Sequence, residues 1–139
     1  MSLLVSSVWL ASKTSRMVEY MEKKRMWRDF PDLNFGGPFT TVSVTEGVSD
    51  IAHTDRNDAG LTWVVPMGKW EGGDLCIPFY KIKIPIKEGE AIAFQANFMA
   101  HMSSPMESGY RLALTCFTDK NIMVDSQEYW EKVNKRQLK

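Results

Sequence analysis

Lys81-Ile82-Lys83-Ile84-Pro85-Ile86 sets isoleucine at every second position, with lysine between the first two. A period of two sends successive side chains to opposite faces, so the isoleucines predict one buried face of a strand. Pro85 has no N–H for a ladder and predicts an edge or a strand end. The same kind of signal continues on either side. Phe39-Thr40-Thr41-Val42-Ser43-Val44 and Leu61-Thr62-Trp63-Val64-Val65 lie upstream. Glu90-Ala91-Ile92-Ala93-Phe94 and Tyr110-Arg111-Leu112-Ala113-Leu114-Thr115-Cys116-Phe117 lie downstream. Glu71-Gly72-Gly73-Asp74, Lys87-Glu88-Gly89 and Glu107-Ser108-Gly109 supply turn chemistry between them. Many short strands at close spacing predict a mainly β sandwich or barrel.

The flanks read differently. Met17, Val18, Tyr20 and Met21 fall on one side of a helix, and Glu19, Glu22, Lys23, Lys24 and Arg25 on the other. Pro31 ends that run, and Gly36-Gly37-Pro38 marks an irregular connection. Near the C-terminus, Asp125 is placed to cap a helix with Glu128 reaching back, and Tyr129, Trp130 and Val133 follow. With 139 residues, a single domain is expected over 1–139, with a β core at about 39–118 and helical flanks over 1–30 and 125–136.

Seventeen basic residues balance seventeen acidic ones, so bulk charge offers no argument for a nucleic-acid or membrane partner. The apolar stretch Leu3 to Leu10 is shorter than the ~20 residues of a membrane span, and it lacks the flanks of a signal peptide. It is expected to pack against the core. Cys76 and Cys116 sit in apolar runs and read as reduced core thiols, consistent with an intracellular setting, cytoplasmic or nuclear.

The chemistry concentrates on few residues. The only two histidines are His53, in His53-Thr54-Asp55, and His101. On a strand, residues i and i+2 share a face, so His53 and Asp55 can converge on one point. His101 would join them from a strand distant in sequence. Two imidazoles and one carboxylate on one side of a metal leave the other side open, which suits non-haem Fe(II) better than closed structural zinc. Arg111 stands in an apolar strand ten residues after His101. A buried guanidinium needs a partner, and its planar fork matches a carboxylate. A dicarboxylic cosubstrate, one end on iron and the other on Arg111, would meet both demands.

Together, His53-x-Asp55, His101 and Arg111 resemble the motif of the 2-oxoglutarate/Fe(II)-dependent dioxygenases. The resemblance extends over Gly72-Gly73-Asp74-Leu75, Lys87 to Phe94 and Gly109 to Leu114, about residues 39 to 118. It implies a double-stranded β-helix, or jelly roll, with Fe(II) held by His53, Asp55 and His101. It also implies 2-oxoglutarate on Arg111 and O₂ as cosubstrates, with hydroxylation of a substrate yielding succinate and CO₂. More narrowly, His53-Thr54-Asp55-Arg56-Asn57-Asp58 and Glu71-Gly72-Gly73-Asp74-Leu75 with Ile77-Pro78 resemble the fungal branch related to the TET/JBP-type nucleic-acid oxygenases. That resemblance implies a 5-methylpyrimidine substrate, with Asn57 and Asp58 near its entrance. Against it stand the reading of Asn57-Asp58-Ala59-Gly60 as a plain turn and the absence of net positive charge.

Other residues complete the expectations. Thr62 or Val64 would line the cosubstrate pocket, Gln95 and Asn97 would orient a metal ligand, and Tyr80 would bond a carboxylate. Met99, Met102 and Met106 around His101 read as packing. The cluster Lys23, Lys24, Arg25 and Arg28 reads as a solvated helix face rather than a phosphate contact. Three rival functions use the same residues: a prolyl-hydroxylase-like protein hydroxylase, an inactive jelly-roll binding module, and a cupin-like metalloprotein without 2-oxoglutarate.

Overall fold

The computed structural model describes residues 14–24, 28–33 and 39–137. The Leu3–Leu10 stretch, Arg25 and the Gly36-Gly37-Pro38 connection lie outside the described residues. The chain divides into two compact units, one from Thr41 to Thr118 and one made of the flanks on either side.

In the Thr41–Thr118 unit the strands are β1 (Thr41–Glu46), β2 (Asp58–Gly72), β3 (Leu75–Ile77), β4 (Ile82–Ile84), β5 (Ile92–Phe94), β6 (Met102–Ser103) and β7 (Met106–Asp119, its last residue crossing the unit boundary). They form a four-stranded sheet of order β1-β7-β2-β5 and a three-stranded sheet of order β4-β3-β6. An isolated antiparallel bridge, His53 to His101, adds one more row beside β6. Followed along the chain, β1 and β2 are in the first sheet, β3 and β4 in the second, β5 in the first, β6 in the second and β7 in the first, with the isolated His53–His101 bridge leading into β6. This alternation between two sheets is a jelly roll.

Apolar side chains from both sheets meet between them. Leu75, Ile77, Ile86, Phe94 and Ala96 are buried together, with Val64, Ile84, Ile92 and Met99 packed against them. The isoleucine alternation is realised only in part. Ile86 is buried and Ile84 half-buried, but Ile82 is exposed. The reason is local: a 3₁₀ turn at Pro78–Tyr80 and a left-handed Lys81 (φ 54) occupy the start of the run, leaving a three-residue edge strand that stops before Pro85. The Leu61–Val65 signal proves to be part of the much longer β2, which runs through Pro66 and Gly68. A Cβ on Gly68 would collide with the Tyr110 carbonyl, and one on Gly109 with the Lys69 carbonyl, so glycine alone lets β2 and β7 approach here.

In the flanking unit, residues 14–22 form helix α1 and Lys120–Gln137 form helix α2. Met17, Tyr20 and Met21 are buried, with Ile122 and Tyr129 packed against the last two. Ser126 Oγ and Trp130 Nε1 both donate to the Arg16 carbonyl, at 3.4 and 2.9 Å. Lys23 is paired with Glu19 at 3.1 Å and lies 4.3 Å from the Trp130 ring centre. Helix α2 starts at Lys120, six residues earlier than the Asp125 cap predicts. The Asn121 N–H donates to Asp119 Oδ1 at 2.7 Å, so Asp119 satisfies the first turn and Asp125 sits inside the helix.

Candidate metal centre

His53 and His101 face each other across the bridge. The His53 N–H donates to the His101 carbonyl at 3.0 Å, and the His101 N–H returns the bond at 2.9 Å. Asp55 is tied to the next segment, its N–H donating to the Ala96 carbonyl at 2.9 Å. Main-chain bonds therefore fix the three segments that carry His53, Asp55 and His101. The structure also amends the strand argument. His53 is a single bridge residue and Asp55 lies in no strand, so the pair converges through this bonding and the turn after it, not through regular pleating.

Each imidazole is oriented the same way. His53 Nδ1 lies 2.8 Å from the Ile51 carbonyl, and His101 Nδ1 lies 2.9 Å from the Met99 carbonyl. A carbonyl only accepts, so each Nδ1 carries a proton, and Nε2 is the nitrogen each imidazole would offer to a metal. Those Nε2 atoms sit 3.6 Å from Asp55 Oδ1 and Oδ2 respectively. The ligand atoms of His53, Asp55 and His101 all lie within 4.8 Å of one another. Metal bonds of about 2.0–2.2 Å place neighbouring donors roughly 3.0–3.6 Å apart, so the two His–Asp distances match a divalent ion's requirement and the third donor pair needs only a small closure around it. His101 is buried against Phe94, ring centres 4.8 Å apart, whereas the His53 side chain is 40% and Asp55 31% exposed. The site is thus backed by the core and open on one side.

Arg111 is buried on β7, and burial lowers its pKa from the ordinary value. Its Nη1 donates to the Gly47 carbonyl at 2.9 Å, while the Gly47 N–H donates to the Arg111 carbonyl at 2.8 Å. The guanidinium lies 5.8 Å from the Trp70 ring centre, and its buried Nε has no hydrogen-bond partner among the described residues. Such an atom marks an acceptor not yet supplied, which is what a carboxylate-bearing cosubstrate would bring. Arg111 makes no hydrogen bond to His53, Asp55 or His101 among the described residues.

The remaining expected residues separate. Asn57 is exposed in the turn after Asp55. Asp58 is buried: its N–H donates to the Asp55 carbonyl at 3.0 Å, and its Oδ2 accepts from Thr62 Oγ1 at 2.5 Å. Thr62 is fully buried, and Tyr80 is 60% exposed. The imidazoles are oriented by the Ile51 and Met99 carbonyls, not by Gln95 or Asn97. Gln95 is exposed and contributes its own carbonyl to Phe98 and Met99, and Asn97 Oδ1 is buried with no partner among the described residues. Gly47, Trp70 and the two carbonyls join the site without a signal in the sequence. Every residue has a carbonyl, so the two that orient the imidazoles leave no mark in residue identity.

No family model matches the chain, and no curated protein does. Among solved structures, NgTET1 in complex with 5mC DNA matches with a TM-score of 0.60 at 18% identity, over 81% of this chain and 50% of that one. The viral collagen prolyl hydroxylase of Paramecium bursaria Chlorella virus 1, in its 2OG complex, matches with a TM-score of 0.49 at 20% identity, over 70% of this chain and 68% of that one. The chain therefore has the NgTET1 fold while spanning about half of that chain's length.

Proposed function

We propose that the chain is a 2-oxoglutarate- and Fe(II)-dependent dioxygenase that hydroxylates a methylated nucleobase. The observation that carries this reading is the meeting of His53, Asp55 and His101, with both Nε2 atoms 3.6 Å from the Asp55 carboxylate. When bound, Fe(II) and 2-oxoglutarate supply the oxidising power with O₂. The protein supplies placement. His53 and His101 give neutral nitrogen ligands, and Asp55 offsets part of the ion's charge. Their shared side leaves open positions for cosubstrate and O₂. Arg111, anchored by Gly47, holds a fixed positive charge for the far carboxylate of 2-oxoglutarate. The buried Phe94 edge keeps water from the inner face of His101.

Asn57, exposed beside the ligands, is assigned to substrate contact, and Asp58 to holding the turn that carries Asp55. The nucleobase substrate is supported by the TET/JBP-like residues His53 to Asp58 and by the fold shared with NgTET1, which was crystallised on 5mC DNA. Two unpaired cysteines suit an intracellular setting, cytoplasmic or nuclear. No helix among the described residues is long and apolar enough to cross a membrane.

Succinate release tests the reading, measured with 2-oxoglutarate and O₂ on methylated DNA and on proline-containing peptides. Succinate that rises with methylated DNA is the expected result. Stimulation by the peptide alone would move the assignment to a protein hydroxylase, and no succinate under any condition would leave an inactive module. In the same assay Arg111→Leu should weaken 2-oxoglutarate about 10- to 100-fold, the worth of a charged hydrogen-bonded pair, while iron binding persists. Unchanged 2-oxoglutarate affinity in that variant would support the cupin-like reading.

A further inference from the structure

Three large aromatic side chains of the β unit stand in solvent: Phe79 is 83%, Tyr80 60% and Phe98 77% exposed. They sit on two turns beside the metal ligands. In the β3–β6 ladder Cys76 pairs with Met102, and the same register carries Ile77 to the level of His101. The Pro78–Tyr80 turn leaves the sheet there. Phe98 lies on the other turn, whose Ala96 carbonyl holds the Asp55 N–H. The roots of both turns, Ile77 and Ala96, belong to one buried cluster. Phe79 and Tyr80 stack edge to face, ring centres 5.0 Å apart, which fixes the pair as a unit.

The segment that carries two of these rings is locally basic, between Asp74 on one side and Glu88 and Glu90 on the other. Residues 75–87 contain Lys81, Lys83 and Lys87 and no acidic residue. Lys83 is taken by Asp74 at 2.9 Å, but Lys81, next to Tyr80, is exposed and has no acidic partner among the described residues. A bare aromatic rim would suit a proline-rich peptide equally well. An unpaired cation directly beside a ring favours a ligand that alternates planar apolar groups with phosphates. We infer that Phe79, Tyr80, Phe98 and Lys81 form a docking rim for single-stranded nucleic acid, the rings stacking bases and Lys81 meeting a phosphate. The inference rests on the dioxygenase reading only for what happens to the base delivered there.

The test is fluorescence anisotropy of a labelled single-stranded oligonucleotide on the full chain across a salt series, with Fe(II) affinity measured in parallel. Phe79→Ala and Phe98→Ala are each expected to weaken binding about 5- to 100-fold, with Phe79→Tyr retaining it. Lys81→Glu is expected to flatten the salt dependence by roughly one phosphate contact. All variants should bind Fe(II) as the parent does. No oligonucleotide binding, or binding indifferent to these variants, overturns the rim while leaving the metal reading intact. Ring-dependent binding of polyproline in its place, or a ring-dependent dimer in sedimentation, also overturns it. Oligonucleotide binding with the predicted dependence in a chain that fails to take Fe(II) keeps the rim and removes the dioxygenase.

Discussion

Asp55 and Asp58 are three positions apart and do opposite work. Asp55 is partly exposed and faces two imidazole nitrogens; Asp58 is buried and accepts from Thr62. Asp58→Ala would leave a buried hydroxyl without that acceptor, at a cost of about 1–3 kcal/mol, with the metal ligands still present. Thermal denaturation should therefore show a lowered midpoint in Asp58→Ala. Asp55→Asn should lose iron while unfolding near the parent temperature, and calorimetry with and without Fe(II) checks both. Cys116 gives a separate handle. Burial raises its thiol pKa, so its thiolate fraction at a given pH is smaller than that of a free thiol. A Cys76→Ser variant should show alkylation rising only at higher pH than a model thiol; a profile matching the model thiol would contradict the burial. At this scale the sequence was most legible where residue types are rare. Two histidines and one arginine in an apolar strand left few options, whereas Asn57 and Asp58 could be told apart only by which one the fold buries.

Elements were legible where punctuation was strong and illegible where it was missing. Alternating isoleucines and a proline located β4, but the adjoining 3₁₀ turn shortened it. The β7–α2 junction carries no glycine or proline: Asp119 ends the strand and Lys120 begins the helix, so the capping pattern at Asp125 drew the boundary too late. The HxD segment reads as a strand by spacing, yet it is placed by bonds to residues more than forty positions away, such as Asp55 to Ala96. Gly109 is the element-scale test. It has φ +89, and a Cβ would overlap the Lys69 carbonyl and the Trp70 backbone. Gly109→Ala should destabilise the β unit by about 1–3 kcal/mol in denaturant unfolding, as overpacking does. A neutral result would mean that β2 and β7 do not approach as described.

Across the whole chain, the sheet order was the part that single-residue reasoning could not supply. Period-two patterning marks a strand but not its neighbour, and Thr41 finds Phe117 at the far end of the β unit. Strand content with glycine-rich turns pointed to a two-sheet β architecture, and the family resemblance narrowed it to a jelly roll, the fold found. Net charge also hid local charge, because a chain balanced at seventeen against seventeen still leaves Lys81 beside the exposed Tyr80 with no acidic partner among the described residues. Since the His53–His101 bridge pairs residues far apart in the chain, an ion held there binds the folded state alone. At a hundredfold excess over its dissociation constant it should add about 2.7 kcal/mol, a rise on the order of 5–10 °C in the melting midpoint.

The most direct measurement is anaerobic calorimetric titration of Fe(II) into the parent chain and into His101→Ala. One ion per parent chain is expected, with at least a hundredfold weaker binding in the variant and 2-oxoglutarate binding that requires the ion. Failure of the parent to bind Fe(II), or equal binding by both proteins, would contradict the metal centre.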